Sequence, residues 1–82
     1  MSWKNDNITL SQKSHILRFC NKAMNRKFIP NIDKLWVELE SLNKGQASEV
    51  MGLFKSFQGS KAMLKLKEFG INIILTREQI NN

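Results

Sequence analysis

The chain has 82 residues, 41% of them hydrophobic and 24% charged, which is enough for one folded domain and excludes a second. Thirteen Lys and Arg residues against seven Asp and Glu residues give a formal net charge of +6, which favours an anionic or acidic partner. A single cysteine excludes an intramolecular disulfide, and one cysteine with one histidine cannot complete a tetrahedral zinc site, so we expect no metal and no other cofactor.

The first predicted helix runs from Thr9 to about Arg26. Thr9 and Gln12 have the spacing of a capping box, in which the threonine hydroxyl and the glutamine side chain each satisfy a backbone amide. Apolar residues at helical spacing give this helix a buried face: Ile16, Cys20, Ala23 and Met24. Basic residues recur every four positions on another face: Arg18, Lys22 and Arg26. The pattern predicts an amphipathic helix with a basic stripe.

Two further helices are predicted after Pro30. The residue before a proline is disfavoured in a helix, so Ile29 marks a turn, and Asn31 can cap the next helix. That helix has the clearest apolar periodicity in the chain: Ile32, Leu35, Trp36, Leu39 and Leu42. Asn43 and Gln46 have the spacing of a weaker cap for a third helix. Its predicted buried stripe contains Ala47, Val50, Met51, Phe54 and Phe57.

Glycines mark the predicted ends of the last two helices. Gly59 is expected to end the third helix in the left-handed conformation, and Ser60 is expected to cap a fourth helix that runs to Phe69. Gly70 has the position of a second left-handed stop, with Ile71 placed against the preceding turn.

The C-terminal tail has two interpretations. Residues 71–75 could form a short extended segment, but a lone strand has no partner in an otherwise helical chain. A last helical turn, begun by a capping-box pattern at 76–79, is preferred. The predicted fold is all-α: a compact single-domain bundle of about four amphipathic helices with a short C-terminal tail. It spans residues 1–82, with 1–8 and 76–82 as the ends expected to fray.

Charge is divided unevenly along the chain. Residues 7–32 and 50–67 contain basic side chains and no acidic one, and an acidic middle separates them. Either block taken alone is most simply a solvated helix face. Two blocks of one sign on neighbouring helices would instead form an electrostatic docking surface. Our hypothesis for the partner-binding surface contains Arg18, Lys22, Arg26, Lys61 and Lys65.

No group of residues has the pattern of a catalytic site. His15 precedes Cys20 by five residues, which places the two side chains about 140° apart round a helix and leaves the cysteine without a base. Cys20 falls in the apolar stripe, so a small buried hydrophobic role is the simpler interpretation. No glycine-rich phosphate loop occurs. We therefore expect no catalytic residue and no enzymatic activity.

Nucleic acid is a second class of anionic partner. Residues 44–47 could be the turn of a helix-turn-helix unit. The helix after this turn contains Glu49, whose carboxylate would face DNA phosphate unfavourably. A small basic protein that binds nucleic acid or modifies transcription is therefore the alternative function, and the less favoured one.

The sequence from MSWKNDNITL through PNIDKLWVELESLNKGQASEVMGLFKSFQGS resembles the rapid-lysis III family, the cytoplasmic antiholins of T-even bacteriophages. The resemblance covers the whole chain and lies in its length, opening residues and overall sequence rather than in a short motif. It implies a soluble early phage protein of the host cytoplasm that regulates lysis inhibition. Such a protein binds the cytoplasmic segment of the phage holin stoichiometrically and delays hole formation.

The resemblance brings no catalytic residue and no position of partner contact to this chain. It adds an anionic membrane surface beside the holin as a second expected contact, where each lysine or arginine contributes about 1 kcal/mol. The longest uninterrupted apolar runs, such as 73–75, are too short for a signal peptide or a membrane span, as expected of a cytoplasmic protein. Self-association of the chain stays open.

Overall fold

Five α-helices form the fold in the computed structural model, which describes residues 6–74. In chain order they are α1 (Leu10–Cys20), α2 (Ala23–Arg26), α3 (Ile32–Glu38), α4 (Lys44–Lys55) and α5 (Gly59–Glu68). A short 3₁₀ helix, Leu39–Ser41, continues α3, and residues 6–74 contain no strand. The predicted class, a small all-α bundle, is therefore confirmed.

Capping boxes begin the two longest helices. The Thr9 hydroxyl accepts a hydrogen bond from the Gln12 backbone amide of α1 at 3.0 Å, and the Gln12 side-chain oxygen accepts one from the Thr9 backbone amide at 3.1 Å. Asn43 and Gln46 make the same reciprocal pair at the start of α4, at 2.8 and 3.0 Å. Both boxes satisfy amides that a helix start would otherwise leave without partners, and both confirm the sequence prediction.

A backbone bridge joins these two helix starts. The Ile8 amide donates to the Leu42 carbonyl oxygen at 3.1 Å, and the Lys44 amide donates to the Asp6 carbonyl oxygen at 2.8 Å. Residues 6–8, expected at a fraying end, are thus paired with the segment that precedes α4.

The same two helices meet again near their C-termini. The Phe19 ring of α1 stacks on the Phe54 ring of α4, with centroids 4.9 Å apart and planes 7° from parallel. Since α1 and α4 are joined at their starts and in contact near their ends, they run parallel. α4 also packs against α5, so it is the central helix of the bundle. The largest fully buried side chains of the core are Ile16, Leu35, Leu39, Leu42, Met63 and Leu66.

The first helix is shorter than the sequence predicted. It ends at Cys20, and Lys22 adopts an extended conformation before α2 begins. The reason is Asn25, a buried residue whose Nδ2 donates to the Phe19 carbonyl oxygen at 2.7 Å and so satisfies a carbonyl at the end of α1. The break also turns Met24, predicted in the apolar stripe, outward to 73% exposure.

The end of α4 corrects a second prediction. Phe57, not Gly59, takes the left-handed conformation, with φ 60°. The Phe57 amide donates to the Phe54 carbonyl oxygen and the Gln58 amide to that of Leu53, which is the Schellman pattern. Phe57, predicted in the buried stripe, is 97% exposed.

The start of α5 differs from the prediction as well. Gly59 is its first residue and Gln58 its N-cap, so Ser60 lies within the first turn and is not the cap. A Cβ on Gly59 would lie 3.3 Å from the Asn25 side-chain oxygen, so the glycine allows a close approach there.

The end of α5 follows the prediction. Gly70 is left-handed, with φ 95°, and the Ile71 amide donates to the Leu66 carbonyl oxygen at 2.9 Å. Residues 71–74 are not helical, and alternate side chains in them are buried. The Ile74 amide donates to the Phe28 carbonyl oxygen at 2.8 Å, which ties this segment to the bundle. The helical turn predicted at 76–79 lies outside the described residues.

We predict that Phe57→Gly stabilises the protein by up to about 1 kcal/mol. A non-glycine residue in the left-handed region costs about 1–2 kcal/mol, of which the greater chain entropy of glycine cancels about 0.5–1 kcal/mol. The exposed ring has little packing to lose. Urea unfolding measures the change.

Gly70→Ala is the matched control. It places a side chain at φ 95° with nothing within 4 Å of the new Cβ, so it should destabilise the protein through the backbone alone, by up to about 1 kcal/mol once the lower chain entropy of alanine offsets part of the strain. A Phe57→Gly variant that is no more stable than wild type, or that is destabilised as Gly70→Ala is, would contradict the assignment of strain to Phe57.

Candidate functional site

Acidic side chains of the described residues are mostly held by the protein's own groups. Lys44 pairs with Asp6 at 3.6 Å, and the Asn72 amide donates to the Glu38 carboxylate at 2.8 Å. Asp33 lies in the first turn of α3, where the helix dipole favours a negative charge. The remaining three, Glu40, Glu49 and Glu68, form ion pairs with lysines.

Basic side chains at 18–27, unlike most of the acidic ones, are not paired with an opposite charge of the described residues. None of them forms an ion pair with a carboxylate of residues 6–74. Arg18 is exposed in the last turn of α1, and Lys22 is exposed with its Nζ 5.1 Å from the centroid of the Phe19 ring. Arg26 is exposed at the end of α2 and donates to the Asn21 side-chain oxygen at 2.7 Å. These three predicted site residues therefore keep their charge available to a partner.

The other two predicted site residues, Lys61 and Lys65, lie in a groove that the first three residues do not line. Lys61 and Lys65 line it together with Glu49 and Glu68. The Lys65 ammonium lies 3.3 Å from Glu49 and 3.5 Å from Glu68. The hydrogen bond and charge of Glu49, with the charge of Glu68 added, raise the pKa of Lys65. Its charge is largely balanced within the fold, whereas Lys61 forms no ion pair with a described carboxylate.

A second surface becomes visible only in three dimensions. Two grooves of about 390 and 270 Å³ are both lined by Met24 and Phe57, and we call this exposed apolar pair the ridge. Lys22 and Lys55 line the first groove and Lys27 the second. We call these five residues the Phe57 corner. No acidic residue lines either groove, whereas glutamates line the grooves beside Lys13 and Lys65.

The position of the Phe57 corner follows from the parallel arrangement of α1 and α4. Both C-termini point to this end of the bundle, and the carbonyl ends of two helices attract positive charge. Arg18 and Lys55 occupy the last turns of α1 and α4. Cations at this end therefore stabilise the helices as well as forming a surface.

Sequence reasoning missed the corner for identifiable reasons. Lys27 and Lys55 belong to the two basic blocks, but the grooves that they line come together only through the packing of α1 against α4 and of α2 against α1. Met24 and Phe57 fell on predicted apolar stripes, so they were assigned to the core. The sequence does contain one signal of this turn. Gly70 follows the C-cap of α5, but the equivalent position after α4 has no glycine.

Lys13 belongs to a basic block in sequence but not to the surface. It is only 7% exposed, its Nζ lies 3.0 Å from the Glu40 carboxylate, and the same nitrogen lies 4.2 Å from the centroid of the Trp36 ring. An ion pair and a cation–π contact therefore hold its charge inside the fold.

The candidate nucleophile is enclosed. Cys20 is fully buried, and burial raises the pKa of its thiol from 9.0 to about 12. His15 is exposed, and its Nδ1 lies 2.8 Å from the Ser11 carbonyl oxygen. In residues 6–74 no three His, Cys, Asp or Glu side chains converge as a metal site would need.

No helix among residues 6–74 combines the length and hydropathy needed to cross a membrane. Comparison with known proteins gives no match: no family model, no curated protein and no solved structure matches the chain. The function proposed below therefore depends on the charge distribution described above and on the resemblance of the sequence.

We predict that Lys13→Ala destabilises the fold by about 1–3 kcal/mol, because it removes a charged hydrogen bond and the packing of a buried side-chain stem. Lys34→Ala is the matched control, since Lys34 is exposed and forms no ion pair with a described residue; a change within about 0.5 kcal/mol is expected. Thermal or urea unfolding measures both. Equal effects of the two substitutions would contradict a structural role for Lys13.

A second prediction concerns alkaline pH. The folded pKa of Cys20 lies above its unfolded value, so its contribution to stability is complete below pH 9.0 and is lost as pH rises towards about 12. The loss is at most about 1.4 kcal/mol per pH unit. Cys20→Ala has no thiol to ionise, so the stability difference between wild type and variant should shrink above pH 9.0. A difference that stays constant with pH would contradict the buried thiol.

Proposed function

We propose that the protein is a non-enzymatic phage regulator of host-cell lysis, a cytoplasmic antiholin that binds the cytoplasmic segment of a holin and delays hole formation. The resemblance of the sequence supplies the identity of the partner. The observation that carries the proposal of a docking function is the separation of charge in the fold. The acidic groups are mostly paired internally, while the cations at 18–27 are exposed and unpaired with described carboxylates.

This separation favours capture of an anionic or acidic segment. Exposed charges of one sign raise the rate of encounter with an opposite charge and select against partners of the same sign. A partner carboxylate that meets Lys22 or Arg18 competes with water but with no carboxylate of residues 6–74. Lys65 would first have to leave Glu49 and Glu68, so we expect it to contribute less than Arg18, Lys22, Arg26 or Lys61.

Binding alone is sufficient for the proposed mechanism. A holin can be in a state that nucleates a hole or in a state that does not. A regulator with higher affinity for the second state shifts the holin population towards it, by an amount set by the difference between its affinities for the two states. The delay then depends on the amount of regulator relative to holin, and no turnover is needed. The buried thiol of Cys20, whose pKa burial raises, is compatible with such a stoichiometric role.

Nucleic-acid binding, the alternative, has less support. Residues 44–47 form the first turn of α4 and not the turn between two helices. Glu49 is exposed on the helix that would have entered the groove of DNA. Both observations weaken the helix-turn-helix interpretation.

We predict that Lys22→Glu weakens capture of the soluble cytoplasmic segment of a T-even phage holin by about tenfold, because the new carboxylate repels an acidic partner. Lys34→Glu changes the net charge equally but lies on α3, outside residues 18–27, and should leave capture within about threefold of wild type. Titration of the segment, followed by fluorescence anisotropy without lipid, measures both. Circular dichroism should show equal helicity for all three proteins.

Equal weakening by the two substitutions would contradict the proposed surface, and no capture by the wild-type protein would contradict the holin as partner. A gel-shift titration provides the competing outcome. Affinity for DNA or RNA that falls steeply with salt would indicate phosphate contacts and favour the nucleic-acid alternative.

A further inference from the structure

We propose that the Phe57 corner is a contact site for the surface of an anionic lipid bilayer, into which the Phe57 and Met24 side chains insert while the surrounding lysines bind headgroups. This contact does not depend on the identity of the protein partner. It shares Lys22 and Lys27 with the exposed cations at 18–27 on which the proposed function depends, and it would place the protein at the membrane whether or not a holin is present.

The shape of the corner is the first argument. Phe57 is 97% exposed and Met24 73% exposed, and both line the two grooves, so they form a ridge that stands out from the protein. A peptide partner is usually held in a groove whose walls cover its anchoring side chain. Here the apolar side chains protrude instead. A soft interface that closes round a protruding ring, such as the headgroup region of a bilayer, fits this shape.

Charge is the second argument. Lys22, Lys27 and Lys55 are exposed round the ridge, and no carboxylate lines either groove. The Lys22 and Lys27 ammonium groups lie 5.1 and 5.2 Å from the Phe19 and Phe28 ring centroids. Lysines beside an exposed aromatic ring combine attraction to anionic headgroups with apolar insertion, the two components of binding at a bilayer surface.

Backbone strain is the third argument. At the end of α5 the left-handed position of the Schellman turn is occupied by Gly70, which adopts it without strain. The equivalent position after α4 is occupied by Phe57 at φ 60°. The phenylalanine ring is not buried there, and phenylalanine adopts the left-handed conformation less easily than glycine does. Strain kept at an exposed aromatic residue indicates that the ring has a use outside the fold.

Charge also argues against a second copy of this chain as the occupant. A symmetric contact through Phe57 would bring two sets of Lys22, Lys27 and Lys55 together, and no acidic residue of either groove would balance them. Like charges brought together in this way cost affinity. An anionic bilayer carries the complementary charge over its whole surface.

The test is flotation of the purified full chain with vesicles of phosphatidylcholine alone and of phosphatidylcholine mixed with phosphatidylglycerol, without any holin. We expect binding to the anionic vesicles only. Phe57→Gly should lower the partition coefficient by about tenfold through loss of the apolar ring. Lys27→Gln and Lys55→Gln should each lower it by about fivefold. Because glycine suits the left-handed position, Phe57→Gly removes the ring without endangering the fold.

Two controls match these changes. Val37→Ser removes an apolar residue that is 63% exposed on α3, and Lys34→Gln removes a lysine on the same helix; neither should change vesicle binding. Phe57→Trp should keep vesicle binding. When anionic vesicles are added, the tryptophan emission of this variant should shift to the blue by more than that of wild type does. Absence of wild-type binding to anionic vesicles would overturn the proposal, as would equal binding of Phe57→Gly and wild type. Since the holin segment is captured in a separate lipid-free experiment, failure of either proposal is seen independently of the other.

Discussion

α1 and α4 are fixed side by side at their starts, because the residues before each helix pair with one another and each helix begins in a complete capping box. In addition, the Gln12 side chain donates to the Lys44 carbonyl oxygen at 3.3 Å, which links the first box directly to the start of α4. Because these helices of 11 and 12 residues also make contact near their ends, they run parallel and end together. The common end contains the stacked Phe19 and Phe54 rings, the break that starts α2 and the left-handed turn at Phe57. The position of the Phe57 corner therefore depends on a constraint at the opposite end of the helix pair.

The parts of the fold that the sequence predicts correctly are those determined within a few residues. Thr9 with Gln12 and Asn43 with Gln46 satisfy their amides locally, so spacing alone identifies both helix starts. Gly70 identifies a helix end for the same reason. One error occurs where a side chain beyond the helix decides its end. α1 stops early because the buried Asn25 side chain, on the next helix, takes a carbonyl at its end, and no periodicity in the sequence encodes that bond.

The surface was less predictable than the fold, because a count of charges does not say which charges are paired. Lys13 and Lys65 look like Lys22 in the sequence, yet one is buried against Trp36 and the other lies between two glutamates, while Lys22 stays exposed. Apolar periodicity has the same limitation at Phe57. Its spacing from Phe54 is helical, but the helix ends between them, and the left-handed turn directs the ring to solvent instead of the core.

The two Schellman turns provide an internal comparison that bears on why the surface exists. Both have the same hydrogen bonds from the two residues after the C-cap, but the turn after α5 has a glycine and a buried isoleucine, while the turn after α4 has an exposed phenylalanine and a half-buried glutamine. Local stability alone would favour a glycine followed by a buried apolar residue at both sites. Glycine avoids the backbone strain, and the apolar residue packs against the last turn of the helix. The arrangement at Phe57 therefore gives up local stability for an exposed ring among lysines, which is the expected trade for a residue that acts at a surface.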